Sequence, residues 1–162
     1  MSVADYFLKI DSIQGESNDQ KHPNECQLES WSFGAHQGGT MAFGGGGGAG
    51  KVQLQDFHFV MKNNKASPKL FLACATGDHI KNAILTCRKA GKDQQEYLKY
   101  TFTDLLISSF TTSGSGSSDA LPMDQISFNF SKIQEDYRQQ NADGTLQGPI
   151  TSWYDAKTQT HG

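Results

Sequence analysis

The residues from Gly45 to Lys51 have the spacing G-x-x-x-x-G-K, a short pattern in this chain that could do phosphate chemistry. A phosphate-binding loop of that kind needs a Ser or Thr after the lysine to hold Mg²⁺, and a helix whose amino terminus faces the phosphates. Here Val52 follows, and the alternation of Val52 with Leu54 indicates a strand. We therefore favour a flexible glycine-rich loop. A phosphate-loop nucleotide enzyme is kept as an alternative function, which a missing thermal shift on adding nucleotide excludes.

Metal chemistry is not indicated by the histidines or the cysteines. No two of the five histidines are four residues apart, and no Cys-x-x-Cys pair occurs among the three cysteines. We expect His79 to complement the dipole at the end of a predicted helix. His22 stands in a polar loop without a partner that the sequence identifies. The sequence therefore predicts no metal site and no cofactor.

The local patterns that nucleophilic and acid–base catalysis need are missing. The segment Gly114-Ser115-Gly116 lies in a low-complexity tract, without the strand–turn–helix context of a nucleophile elbow. Cys74 falls on the apolar side of the predicted helix, where a small core residue is more common than a reactive thiolate. Glu135 and Asp136 are adjacent, so on a strand they point to opposite faces. We expect no catalytic residue, although the sequence leaves open a triad assembled from distant residues.

Size and charge set further bounds on the protein. The chain has 162 residues and a mass of 17.7 kDa, which predicts a single domain over residues 1–162. A net charge of −3 without a Lys/Arg cluster argues against a nucleic-acid partner. The longest apolar run, near 105–107, is too short to cross a membrane.

Targeting and cysteine content concern the compartment in which the chain folds. Its first five residues lack the basic and apolar regions of a signal peptide, so any export would use another route. Three cysteines without close pairs do not make a disulfide framework, and a reduced cytoplasm fits best.

Apolar and polar residues alternate along most of the chain, which predicts a β-rich fold. The phase of the alternation slips near Asp56 and again near Lys132, where we expect β-bulges. With one short helix, about seven or eight antiparallel strands predict a sandwich or a small barrel. The predicted strands cover residues 6–10, 25–34, 52–59, 80–89, 97–112 and 126–137, with a last edge strand after Pro149.

The helix is predicted from its end signals. Ser67 is expected at the N-cap, Pro68 at the first helical position and Gly77 just past the end. Between them, one apolar stripe is expected to contact the core; its members are Leu70, Phe71, Cys74 and Ala75.

A series of short motifs, in a fixed order and spacing, resembles one known family. The motifs are Phe7-Leu8-Lys9-Ile10, Gln14-Gly15-Glu16-Ser17 with His22 and Glu25, Trp31-Ser32-Phe33-Gly34, Ser67-Pro68-x-Leu70, Cys74-x-x-Gly77-x-His79, Arg88-Lys89-Ala90-Gly91, Glu96-Tyr97-Leu98 and Ser108-Ser109. Across about residues 4–155 they are similar to the haemolysin-coregulated protein (Hcp) family, which forms the inner tube of type VI secretion systems. The chain departs from the family pattern at Cys26, where an aliphatic residue is frequent, and at Ser152, where a glycine precedes the tryptophan.

The resemblance implies a fold and a function. The fold is a partly closed antiparallel β-barrel of two sheets with one short flanking α-helix. The subunits form homohexameric rings that stack into a tube and bind small effector proteins in the ring lumen. The tube meets the spike and sheath proteins of the apparatus and leaves the bacterial cytoplasm by that route. Such a protein is not an enzyme; an assembly-only tube subunit and a secreted effector with its own activity are the alternatives.

Two sets of residues are proposed to carry that function. Opposite Trp31 and Phe33, the small and weakly polar residues of the second strand suit a lumen wall that binds effectors: Leu28, Ser30 and Ser32. A closed ring binds its neighbours through unlike surfaces, and a glycine-rich arm allows close approach of another backbone. The expected ring-stacking loop is Gly39, Thr40, Met41, Ala42, Phe43, Gly44, Gly45, Gly46, Gly47, Gly48, Ala49 and Gly50.

Overall fold

The structure is a computed structural model, and it describes residues 4–39, 51–89, 94–117 and 121–162. In these ranges the chain forms eleven strands and one helix. The elements are β1 Ala4–Ile10, β2 Cys26–Leu28, β3 Ser30–Ser32, β4 Ala35–Gln37, β5 Val52–Leu54, β6 Phe57–Lys62, α1 Ser67–Thr76, β7 His79–Lys89, β8 Glu96–Ser113, β9 Met123–Tyr137, β10 Ile150–Asp155 and β11 Thr160–His161.

Nine of the strands form one antiparallel sheet that curls into a partly closed barrel. Its main path runs β11-β10-β9-β8-β7-β1-β2, and β6 joins it by pairing with β9 on one side and β3 on the other. The short strands β2 and β3 are separated only by Glu29, whose backbone N–H donates to the carbonyl of Val60. The segment 26–32 therefore bridges β1 and β6, which brings the two sides of the sheet together as expected from the family resemblance.

The second sheet is the hairpin of β4 and β5, which within the described residues pair only with each other. The prediction of one strand over 52–59 was wrong in this respect, because the chain turns at Gln55 and Asp56 and sends the two halves to different sheets. The strand predicted over 25–34 is likewise divided, at Glu29.

Aromatic rings fill the barrel interior. Phe57, Phe102 and Phe128 come from three neighbouring strands, and their ring centroids are 4.9, 5.1 and 5.0 Å apart. All three side chains are fully buried. Each such pair contributes about 0.5–1.5 kcal/mol beyond the area that it buries, so this cluster holds β6, β8 and β9 together.

The helix ends as predicted but begins differently. Gly77 has a φ of 70°, and its N–H closes the last turn on the carbonyl of Ala73. At the other end Ala66 holds the N-cap position, and Ser67 lies inside the first turn with its hydroxyl turned to β9. The predicted stripe is also rotated, because Leu70 and Ala73 are buried while Phe71 is 57 % exposed.

The change of phase predicted near Lys132 occurs in β9, but its cause lies in the neighbouring strand. Asp104 of β8 has a φ of 56°, and the buried positions change parity across it. The hydroxyl oxygen of Ser131 lies 3.1 Å from the carbonyl oxygen of Thr103 and 3.2 Å from the Asp104 carboxylate, either of which can accept its one hydrogen. The pairing of β8 with β9 stays in register at this point, and its irregularity lies between Ile107 and Ser109.

Candidate functional site

Mostly polar side chains lie on one face of four adjacent strands, β3, β6, β9 and β8. Ser32 of β3 lies opposite His58 of β6, which lies opposite Ser127 of β9, which lies opposite Ser109 of β8. Directly opposed residues in neighbouring strands point to the same side of a sheet. These four residues therefore form one row across the barrel wall.

A second row runs parallel to the first. It consists of Ser30, Val60, Gln125 and Thr111, which are opposed in the same way. Ser30, Gln125 and Thr111 are exposed. We call the two rows together the polar face; its members are Ser30, Ser32, His58, Val60, Ser109, Thr111, Gln125 and Ser127.

The irregularity in β8 arranges the hydroxyls at the centre of the polar face. It places the Oγ atoms of Ser108 and Ser109 2.8 and 2.5 Å from Oγ of Ser127, which is 2 % exposed. Ser108 donates its only hydrogen to the Asp56 carboxylate at 2.5 Å. Ser127 must then donate to Ser108, and Ser109 to Ser127, so every hydroxyl hydrogen has an acceptor.

The polar face can form many weak hydrogen bonds but has little charge. Its hydroxyl and amide groups both donate and accept. At one rim the ammonium of Lys62 lies 3.9 Å from the Glu29 carboxylate. Within the described ranges, no group of three or more His, Cys, Asp or Glu residues could hold a metal ion. The groups that this surface offers are therefore mainly hydroxyl and amide hydrogen-bond donors and acceptors.

Two of the three predicted effector-binding residues lie on the polar face. Ser30 and Ser32 are exposed, as a binding residue must be. The inclusion of Leu28 was wrong, because it is 6 % exposed and belongs to the hydrophobic core. Both Glu29 and Ser30 are exposed, which shifts the alternation by one residue between β2 and β3. The same shift places Cys26 in the core, although it shares parity with Ser32 in the sequence.

The sequence reading missed the part of the polar face that comes from later strands. His58, Ser109 and Gln125 join Ser32 only through pairing between strands that are distant in the sequence. A signal for β9 was present, because polar residues alternate there with the buried Ile126 and Phe128. Nothing local identifies which other strands lie beside them.

The proposed ring-stacking loop is largely outside the described residues. Gly39 is described and exposed, and it follows the hairpin strand β4. Positions 40–50 lie outside the described ranges, so their role stays a prediction. The described strands on either side of the segment, β4 and β5, pair with each other.

An apolar groove separates this hairpin from the barrel. It has a volume of about 330 Å³ and lies between the hairpin residues Val52 and Leu54 and the barrel residues Ile133 and Trp153. The ammonium of Lys132 lies 4.5 Å from the centroid of the Trp153 ring, a cation–π contact. The groove provides apolar surface beside the hairpin strands that flank the proposed ring-stacking loop.

Two of the three cysteines are buried and the third is half-buried. Burial raises the pKa of Cys26 and of Cys87 to about 12. Cys74 is half-buried and packs against the core, as its predicted place on the helix indicated. All three are free thiols.

One histidine prediction was wrong, and the partners of a second histidine were not identified from the sequence. His79 is an exposed residue of β7, whose first residue it is, and does not cap the helix. His22 is buried and has two acidic partners, one of them 74 residues away in the sequence.

No helix in the described ranges combines the length and the apolar character that a membrane crossing needs.

Comparisons with known proteins match this architecture. A family model described as "Type VI secretion system effector, Hcp" matches residues 7–137. The protein hcp1 of Pseudomonas aeruginosa is 46 % identical over 147 residues, which are 90 % of each chain. The crystal structure of Hcp1 from Salmonella typhimurium is 37 % identical, with a TM-score of 0.82, over 99 % of this chain and 100 % of that one.

A further solved structure, described as that of a type six secretion system protein, has a TM-score of 0.91 at 27 % identity. It covers 98 % of this chain and 99 % of its own. Sequence and fold agree over nearly the whole chain, and the chain belongs to the Hcp family of type VI secretion system proteins.

Proposed function

We propose that this protein is a structural subunit of the type VI inner tube, which forms homohexameric rings and carries effector proteins on the polar face inside the ring. The observation that supports this most directly is the pair of polar rows across β3, β6, β9 and β8. A wall of this kind suits a lumen that holds varied cargo and then releases it. The protein carries no catalytic activity and uses no cofactor or nucleic acid.

The chemistry of the polar face explains weak and varied binding. Small hydroxyl side chains such as Ser30 and Ser32 lose little rotamer freedom when they contact a partner. Each contact made in exchange for water is worth only about 0.5–1.5 kcal/mol. Six copies of the face around one lumen add many such contacts without a deep pocket, so a cargo is retained by their number and can still leave.

The glycine-rich arm is assigned to the contact between rings. A hairpin of two strands is only marginally stable alone, and β4 and β5 pair with no other strand in the part of the chain that the structure describes. We expect residues 39–50 to contact the next ring, where glycines let another backbone approach. Deletion of Gly44–Gly48 should leave single rings intact and weaken the stacking of rings into tubes. Unchanged tube formation in electron micrographs would contradict this role.

The proposed partners also include the spike and sheath proteins of the type VI apparatus. We expect the protein to leave the bacterial cytoplasm through that apparatus. The support for this is membership of the family. The protein should then appear in the culture medium when the sheath is functional and stay in the cells when it is not.

The test of cargo binding uses a substitution at Ser32. Ser32→Gln adds bulk to the polar face and should reduce the amount of a small co-expressed effector that is retained by the ring. The matched control is Ser152→Gln, which adds the same bulk at an exposed position of β10. Native mass is measured first for both variants to show that the ring persists. Normal effector retention by an intact Ser32→Gln ring would refute the assignment.

A further inference from the structure

His22 lies between two carboxylates that come from different parts of the chain. Its Nδ1 is 2.9 Å from Oε2 of Glu25, and its Nε2 is 2.6 Å from Oε1 of Glu96. Glu25 precedes β2, whereas Glu96 is the first residue of β8. The imidazole therefore joins the long connection between β1 and β2 to a distant strand.

The number of protons on the imidazole decides whether both contacts can exist. A neutral imidazole has one N–H donor and one lone pair, whereas the imidazolium has two donors. An ionised carboxylate only accepts hydrogen bonds. Both contacts of His22 are therefore satisfied together only when the ring is protonated. The ring also stacks on Phe7 with centroids 4.6 Å apart and planes 10° apart, which suits a cation on an aromatic face.

Among the described residues, three further charged groups at this site pair with each other. The guanidinium of Arg88 lies 4.8 Å from the same Phe7 ring centroid, and its Nη2 donates to Asp5 at 3.0 Å and to Asp19 at 2.7 Å. The second oxygen of Asp19 accepts the backbone N–H groups of Lys21 and His22. These contacts hold the turn before His22 in either protonation state, so Glu25 and Glu96 are the groups that respond to the ring.

The two carboxylates differ in how easily they can leave. The Glu25 side chain is 10 % exposed and lies three residues from His22 in the same connection. The Glu96 side chain is 43 % exposed and can turn to water. A ring that loses its proton keeps one N–H, and the more buried Glu25 retains it. The bond that breaks is the one between His22 and Glu96.

We propose that His22 is a pH-sensitive latch, which in its protonated form fastens the connection over residues 14–25 to the start of β8 through Glu96 and releases it when the proton is lost. The connection is then tight in a mildly acidic medium and looser in an alkaline one. This latch goes beyond the tube function and does not depend on it.

Hydrogen–deuterium exchange of the full-length protein tests the latch. Amides of the connection are hydrogen-bonded within it, including those of Gly15, Ser17 and Asn24. The protection of peptides over residues 14–25 is measured at pH 6 and pH 8.5 and corrected for the intrinsic exchange rate. We expect protection to fall about tenfold on raising the pH, the change that corresponds to loss of a charge-assisted hydrogen bond. Equal protection at both pH values would overturn the proposal.

Three variants separate the latch from general pH effects. His22→Gln should show low protection of residues 14–25 from exchange at both pH values. The side-chain amide of the glutamine cannot donate to both Glu25 and Glu96. Glu96→Gln should stay protected at both, since the Gln amide accepts from a protonated ring and donates to a neutral one. His79→Gln, at an exposed histidine, should behave as the wild type. If His22→Gln does not fold, Glu96→Gln still decides, and a tenfold pH response that persists in Glu96→Gln would refute the latch.

Discussion

The hydroxyl of Ser67 donates to the Asp124 carboxylate at 2.5 Å, which ties the first turn of the helix to a strand 57 residues later. Asp124 is fully buried in β9, and the Asn63 amide also donates to it at 3.2 Å. The backbone N–H of Asn64 in turn donates to Ser67 at 3.0 Å. The N-cap residue, Ala66, makes no side-chain cap hydrogen bond, and the buried carboxylate fixes the helix start instead.

Removal of that carboxylate should therefore cost stability. Asp124→Ala leaves the Ser67 hydroxyl and the Asn63 amide without their acceptor in a buried place. We expect the free energy of unfolding to fall by about 2–3 kcal/mol, the cost of unsatisfied buried polar groups. Asp124→Asn keeps one acceptor oxygen and should lose less. Chemical denaturation measures both, and a loss below about 0.5 kcal/mol for Asp124→Ala would contradict the role.

Acid should weaken the contact between Asp19 and Arg88. The hydrogen bond from Arg88, with those from two backbone N–H groups, lowers the pKa of Asp19 from 3.8 to about 2. A lowered folded-state pKa contributes stability above about pH 4 that is lost as the pH falls towards 2. The difference in unfolding free energy between the wild type and Asp19→Asn should therefore shrink between pH 4 and pH 2. A difference that stays constant over this range would contradict the ion pair.

The hydroxyl chain at the centre of the polar face should contribute to stability. Ser127→Ala removes the link between Ser108 and Ser109, which are 2.8 and 2.5 Å from it. We expect a loss of about 1–2 kcal/mol in unfolding free energy. Ser115→Ala, on an exposed loop, is the control and should change little. Equal midpoints of denaturation for the two variants would show that the chain of hydroxyls is not formed.

Thiol labelling should distinguish the three cysteines. Cys26 and Cys87 are buried and their pKa values are raised to about 12, so they contain almost no thiolate at pH 8. Cys74 is half-buried. The native protein should therefore react at one site with a disulfide reagent and at all three after denaturation, and Cys74→Ser should abolish the native reaction. Fast labelling of Cys26 in the folded protein would place it on a surface.

Local signals in the sequence identified the elements more readily than their partners. Gly77 is a helix-stop residue that needs only its own backbone conformation, and the alternation around Phe128 marks a strand by itself. The break at Glu29 could not be read in this way, because it arises where the chain changes partner from β1 to β6. Leu28 was therefore assigned to the surface of Ser30 and Ser32 and lies in the core.

The site could be predicted only in part for the same reason. Ser32 was accessible to sequence reasoning, whereas His58, Ser109 and Gln125 reach the polar face through long-range pairing. His22 illustrates the limit, since its partner Glu96 is 74 residues away. Side-chain contacts between distant strands depend on which strands pair with each other. A single sequence indicates that pairing only weakly.

A ring of subunits with the polar face in its lumen is best tested by the native mass of the protein in solution. Native mass spectrometry or light scattering of the full chain should give about 106 kDa, which is six subunits of 17.7 kDa. We predict a stable hexamer. A protein that stays at 17.7 kDa over the accessible concentration range would contradict the ring and remove the basis for a cargo-binding lumen.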